Sequence, residues 1–471
     1  MASSHRIERD ALGEMRVPAD ALYGAQTQRA VENFPISGRR FGRRFIEALG
    51  RIKEAAARTN AELGLLDDQV ADAIASASAD VARGDWDDHF PLDIYQTGSG
   101  TSTNMNANEV IAALANRLLE RMDDDGSPPS VHPNDHVNFG QSSNDVIPTA
   151  IHVACRAAVR DELVPALAKL GEALAEQAKS LDGVVKSGRT HLMDATPVRL
   201  GQEFGGYAKQ VERGIERVER ASREMSELAL GGTATGSGIN THPRFAALAV
   251  ARIAATYGID FREAEDHFEA QGGKDACVSL AGALNTVAAA LMKIADDLRW
   301  LASGPTSGIA EIQLPAVQPG SSIMPGKVNP VICEALMMVC ARVAGNATTV
   351  TIAGQRGNFE LNVMMPVIAD SLLESIALLA SACRVFADRC VAGVEPQPER
   401  ARELLERNPA IATALNPYVG YDRAAVVAKR AAAQRRSVRE VAEEMGLIGS
   451  EDLDRALDVR QMTEPGISGR D

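Results

Sequence analysis

From Leu280 to Leu301 apolar residues recur at alternating spacings of four and three: Leu280, Leu284, Val287, Leu291, Ile294, Leu298 and Leu301. Such a stripe predicts one long helix that packs along its neighbours over several turns. A second stripe runs through Val159, Leu163, Leu167, Leu170, Leu174 and Leu181. A third runs through Ile332, Leu336, Val339 and Val343 into the small residues Gly345, Asn346 and Ala347. Aromatic residues are only 4% of the chain, so its core must be built from Ala, Leu, Val, Ile and Met. That composition suits close-packed helices better than strands, which draw on aromatic and β-branched residues. Alanine-rich faces such as Ala288–Ala290 let helices approach closely. The expectation is an all-α fold with long, nearly parallel helices in a central bundle. Neither a strand–helix alternation nor a repeat of solenoid length competes with it.

With 471 residues the chain exceeds one ordinary core, which predicts two or three domains. Polar and glycine-rich breaks place the boundaries after the SPPSVHPNDH stretch and near Pro366, giving 1–139, 140–366 and a small helical segment 367–471. Lys plus Arg number 49 against 63 Asp plus Glu, a formal charge of −14. A chain this acidic repels nucleic acid and anionic membrane, and an anionic substrate would need a local pocket of donors. The six cysteines show no C-x-x-C spacing and read as buried small apolar residues. The N-terminus lacks the apolar stretch of a signal peptide, so a soluble, cytoplasmic protein is expected.

Four segments concentrate small hydrogen-bonding residues where helices begin or end. Thr97–Asn104 (TGSGTSTN) fits either a capped turn or a ligand loop. Gly140–Asp145 (GQSSND) carries more polar side chains than a helix cap needs. Ser187–Asp194 (SGRTHLMD) presents His191 beside Thr190, and Asp194 or Glu203 could orient its ring. Gln318–Pro330 (QPGSSIMPGKVNP) alternates glycine and proline with Ser321, Ser322, Lys327 and Asn329. A mere connector would not require those side chains, and a mobile functional loop is expected.

This last segment closely resembles the GSSxMPxKxN signature of the fumarase/aspartase superfamily. The resemblance extends through VPADALYGAQTQRA, GSGTSTNMN, HPNDHVN, GQSSND, GRTHLMDATP, GGTATGSGINTHP and GSSIMPGKVNPVICEAL, essentially the whole chain in order. Within the superfamily, Gly326, the TGSGT loop and the CEAL continuation are similar to class II fumarases. The resemblance implies a three-domain helical protein whose long helices form the core of a homotetramer, with each active site assembled from loops of three subunits.

The same resemblance implies reversible hydration of fumarate to L-malate in the tricarboxylic acid cycle, with no metal or organic cofactor. Ser321 would take the proton beside a carboxylate, and His191 would act at the hydroxyl side. Glu334 matches a position close to that histidine. Ser99, Gly100, Thr101, Asn104, Ser142, Ser143, Asn144, Thr190, Ser322, Lys327, Val328 and Asn329 would hold the dicarboxylate. His132, Pro133, Asn134 and Asp135 match a second, non-catalytic dicarboxylate site. The chain departs there by carrying Pro129 where the family often has arginine, and it carries Ser237 in place of a common threonine.

The chemistry suits these residue types. Removing a proton next to a carboxylate creates an enediolate-like species whose charge needs preorganised donors, here Lys327, Asn329, Asn144 and loop N–H groups. A serine serves as base only where such donors stabilise its alkoxide in a dry site. The rival reading is an aspartate ammonia-lyase, which shares the fold and the carboxylate grip. Gly326 and the TGSGT loop argue against it. A non-enzymatic relative on the same fold would predict loss of Ser321, Lys327 or His191, and all three are present.

Overall fold

The structure is a computed structural model and describes residues 5–122 and 130–469. Position Pro129, where the second-site motif departs from its pattern, lies outside the described residues. The architecture is helical, as the stripes imply. In chain order come hairpin strands β1 (His5–Asp10) and β2 (Gly13–Pro18), then helices α1 (Ala25–Asn33), α2 (Arg43–Glu62), α3 (Asp68–Arg83), α4 (Thr101–Met122), α5 (Ser143–Ala158) and α6 (Val164–Ser180). A second hairpin follows, β3 (Val185–Thr190) with β4 (Met193–Arg199). After it come α7 (Leu200–Glu224), α8 (Phe245–Tyr257), α9 (His267–Gly272), α10 (Asp275–Leu301), α11 (Val331–Gly354) and α12 (Met365–Arg389). Shorter helices at Pro398–Glu406, Tyr421–Gln434, Val438–Met445 and Ser450–Ala456 complete the chain.

The seven-residue stripe lies on α10, and every member is buried. All six members of the second stripe are buried too. Its backbone passes from α5 to α6 through a π-helical turn at Val159–Leu163. That turn immediately precedes Pro165, whose ring can neither donate to nor sit under the carbonyl four residues back. The third stripe is corrected by one step. On α11 the buried line is Cys333, Leu336, Cys340 and Val343, whereas Ile332 and Val339 lie half-buried at its margin. Two narrow apolar lines share that helix, and the chain covers one of them. All six cysteines are free and buried.

The chain divides into two compact units, neither of them contiguous in sequence. The first comprises 1–165, 216–286 and 341–379; the second comprises 166–215, 287–340 and 380–471. Both cross the segment limits drawn from the sequence breaks. Pro366 stands in the first turn of α12, where its missing N–H would have had no helical partner. In the first unit α2 packs against α3, α5 and α8. Phe45, Leu49, Ile52, Ile74 and Ile253 are fully buried there. Helix α3 is delimited by Asp67, whose carboxylate accepts the N–H groups of Gln69 and Val70, and by Gly84 at φ 98°. In the second unit Leu405, Ile411, Leu415, Val427, Val441 and Leu453 form a separate core among the C-terminal helices.

Candidate active site

Within the first unit, two of the polar segments meet side by side. Thr97–Gly100 leads into α4. Gly100 takes φ +70°, and a Cβ at Gly98 would lie 1.8 Å from the carbonyl oxygen of Val363, so glycine is required there. Ser99 Oγ contacts Thr101 Oγ1 at 2.7 Å, and Thr101 Oγ1 contacts Ser143 Oγ at 2.7 Å. These hydroxyls come from opposite ends of the candidate grip yet form one chain at the starts of α4 and α5. Helix N-termini with free N–H groups favour an anion.

Ser142 caps α5, and Asp145 returns the bond by accepting the Ser142 N–H at 2.9 Å. The other Asp145 oxygen accepts Gly231 N at 3.0 Å and Thr233 N at 2.9 Å. Asp145 therefore ties the GQSSND segment to the GGTATGSG segment. Burial holds its carboxyl up, at about 6. Asn144 donates to the carbonyl of Ala234 at 2.8 Å. Asn104 donates to Asn138 Oδ1 at 3.2 Å, and its own buried Oδ1 has no partner among the described residues.

The second-site residues His132, Pro133, Asn134 and Asp135 form the start of a π-helical turn, Pro133–Val137. His132 caps it: its Nδ1 accepts Asp135 N at 3.2 Å and lies 3.1 Å from the Asp135 carboxylate. His136 Nδ1 in turn accepts His132 N at 2.9 Å. Nδ1 of both rings is thereby taken up within the turn.

The second unit carries the reactive candidates. The third segment, expected where a helix begins or ends, is the β3–β4 hairpin, which leads directly into α7. Thr190 pairs with Met193, leaving His191 and Leu192 as a two-residue turn with φ 56° and 59°. Two successive positive φ values define a turn that ordinarily takes Asn-Gly. A histidine and a leucine held there store strain and place His191 exposed at the tip. The expected orienting carboxylate is not found. Glu203 accepts Lys186 Nζ at 2.9 Å, and among the described residues neither it nor Asp194 bonds the ring. Glu334, half-buried in the first turn of α11, makes no bond to His191 either.

What holds the hairpin is a buried network that sequence reasoning missed. Glu311, fully buried, receives a two-pronged Arg189 guanidinium at 2.7 and 2.9 Å. Lys186, 1% exposed, reaches Glu203 and stands 3.3 Å from Glu311. Burial first, and the neighbouring Glu311 charge as well, push the Glu203 carboxyl up against the opposing pull of Lys186. Asn408 fastens the hairpin from the C-terminal segment by donating to Ser187 Oγ and to the carbonyl of Ala195.

The Ser321 loop is closed on itself. Gly320 N donates to Lys327 O at 2.8 Å, and Asn329 Nδ2 donates to Gly320 O at 2.7 Å. Ser321 Oγ accepts two backbone N–H groups, from Ile323 at 3.2 Å and Met324 at 3.0 Å. Ser322, Lys327 and Val328 are exposed, and Lys327 Nζ has no partner among the described residues. The loop lines an open recess of about 610 Å³ with Gln318, Ser321, Met324 and Lys327. A hydroxyl that accepts two N–H groups is better able to carry negative charge than a free one.

Comparison with known proteins bears on the family of the chain. A lyase family profile matches residues 13–345, and a profile for the C-terminus of fumarase C matches residues 411–464. Proteins named fumarate hydratase class II are similar over nearly their whole length. That of Xylella fastidiosa is 53% identical over 98% of this chain and 96% of its own. That of Mycobacterium tuberculosis is 52% identical over 98% and 97%. That of Halobacterium salinarum is 53% identical over all of both chains. A solved class II fumarase from Schistosoma mansoni superposes with a TM-score of 0.94 at 38% identity, over 98% of this chain and all of that one. A Brucella melitensis structure described as fumarate lyase:delta crystallin bound to cobalt gives 0.93 at 42%, with the same coverage.

Proposed function

The chain belongs to the class II fumarase family, and from that premise we propose that it is a fumarate hydratase that interconverts fumarate and malate. The observation that carries the mechanism is Ser321 Oγ held by two backbone N–H groups inside the loop that also bears Lys327 and Asn329. In the malate-to-fumarate direction, Ser321 as alkoxide removes the proton from the carbon next to one carboxylate. Charge spreads onto that carboxylate as the enediolate-like species forms, and Lys327 and Asn329 stabilise it. The hydroxyl on the adjacent carbon departs with a proton supplied from the His191 side. Ser99, Thr101, Ser143 and Asn144 are the hydroxyl and amide donors for the dicarboxylate.

The proposal includes a homotetramer. Helices α10, α11 and α12 are long and apolar enough, by length and composition, to cross a bilayer, and only 28% of the most apolar stretch of α11 is buried by the chain itself. Met338 and Ile352 stand 68% and 49% exposed on it. Asn346 and Arg342 on α11 bond Glu374 on α12 at 2.7 and 2.8 Å, a polar network unsuited to lipid. Contact with further copies covers such faces.

The test is absorbance at the fumarate band for protein given malate in the presence of a chelator, with Ser321→Ala alongside. Fumarate formation that survives chelation and collapses in the variant supports the reading. Inactivity on malate with ammonia release from aspartate replaces it with the lyase alternative. Sedimentation equilibrium tests the tetramer, and a monomer at micromolar concentration would remove it.

A further inference from the structure

Lys53 is fully buried on α2, and its ammonium makes no ion pair among the described residues. An unpaired buried cation is costly unless an anion comes near it. Its hydrogen bonds go to Asn138 Oδ1 at 2.9 Å and Gln141 Oε1 at 3.0 Å. An ammonium can only donate, so it forces both amides to turn their oxygens inward. The consequences spread through the binding segments. Asn138 Oδ1 also receives Asn104 and Asn108, each at 3.2 Å. The Asn138 amide N–H then points to Gln141 O, and the Gln141 amide N–H groups point to Val137 O and Phe139 O. One buried charge thereby sets the orientation of the amides beneath both the Thr97–Asn104 and the Gly140–Asp145 segments.

We infer that Lys53 is a positioning residue for the dicarboxylate, orienting this amide cluster and supplying the positive field that a substrate carboxylate completes. The inference rests on the fumarase reading and on the Ser99–Asn104 and Ser142–Asn144 grip. Among the described residues, Asp145 on α5 is the ionisable group whose charge bears on Lys53. It forms no ion pair with Lys53, and its oxygens accept three backbone N–H groups. Of the other elements packed on α2, helices α3, α4 and α8 bury uncharged side chains, Ile74 and Ser78, Asn104 and Asn108, and Val250 and Ile253, while the Pro133–Val137 turn buries Val137 and carries its titratable groups, Asp135 and His136, exposed and half-buried. Desolvation brings the Lys53 ammonium down to about 7, so its charge is lost within the range in which the enzyme is assayed.

Steady-state kinetics on fumarate between about pH 6 and 9, for wild type and Lys53→Met, test the inference. Wild-type KM should rise above pH about 7 as Lys53 loses its proton. K53M should raise KM at low pH by about ten-fold, change kcat by less than about three-fold, and flatten the pH dependence of KM. A residue that merely filled space would leave that pH dependence in place. Should K53M not fold, Gln141→Glu sets a carboxylate against the ammonium, holds it protonated, and moves the rise in KM to higher pH by about one unit or more. K53M with wild-type KM and profile, or Q141E with an unmoved profile, overturns the inference while an active wild type leaves the functional reading intact. A wild type inactive on both malate and fumarate overturns the reading and the inference together.

Discussion

The loops at the starts of α4 and α5 and the Ser321 loop all combine glycine with hydroxyls, yet they are built in opposite ways. Ser99, Thr103, Asn104, Ser143 and Asp145 are buried, and their side chains bond neighbouring side chains or, for Asp145, nearby backbone. From Ser322 to Val328 every residue is exposed, and the loop bonds chiefly to itself. A grip for an anion gains from being set before the ligand arrives, because reorganisation would otherwise weaken binding. A base that must be shielded from water as it acts gains from a segment that can move. On the proposed function, the binding half is preformed and the proton-transfer half is left free.

The predictions press on that difference. Ser321→Ala should lower kcat by roughly 10³-fold with KM near wild type, since it removes the base and spares the grip. A comparable rise in KM would break the division of labour. Gly98→Ala in the preformed half should fail to fold or lose most of its thermal stability, because its Cβ has no room beside Val363 O. Gly326→Ala in the free half meets open space at φ +76°, so it should cost only about 1 kcal/mol and a few-fold in kcat. Equal losses in the two glycine variants, by calorimetry and initial rates, would erase the contrast.

Arg189→Ala should cost about 3–5 kcal/mol in chemical denaturation by removing the two-pronged partner of the buried Glu311 charge, which leaves it only Lys186 at 3.3 Å. A loss below about 1 kcal/mol would mean that the hairpin is not held by that pair. The last test is of stability against pH. Lys53 releases its proton near 7 when folded and near its ordinary 10.5 when unfolded, so the unfolded chain binds more protons in between. Its contribution to stability therefore rises with pH across that window, and K53M should lack the rise in melting temperature.

Much of the fold was legible because burial on a helix leaves a period. The stripe on α10 reads straight from spacing, and the four chemical segments read from composition and resemblance. The His191 turn was illegible because the usual signal of a two-residue hairpin is Asn-Gly, and here the pair is His-Leu. The Glu311 network escaped because its members lie far apart in sequence, Lys186 and Arg189 on β3, Glu203 on α7 and Glu311 before α11. Lys53 left a trace. It falls in register with Leu49, Ala56 and Asn60 on the buried face of α2, a charge where the pattern calls for an apolar residue.

The sequence by itself determined the helical class, the family and the kinds of side chain that chemistry requires. These follow from periodicity and residue type, which are local properties of the chain. Tertiary structure alone decided which of those side chains are free to act. Glu203 belongs to Lys186 rather than to His191, Asn104 turns toward Asn138, and Ser321 Oγ is held by its own loop. A hydrogen-bonding group has few partners to give, and which one it takes is settled by the residues that folding brings within about 3 Å.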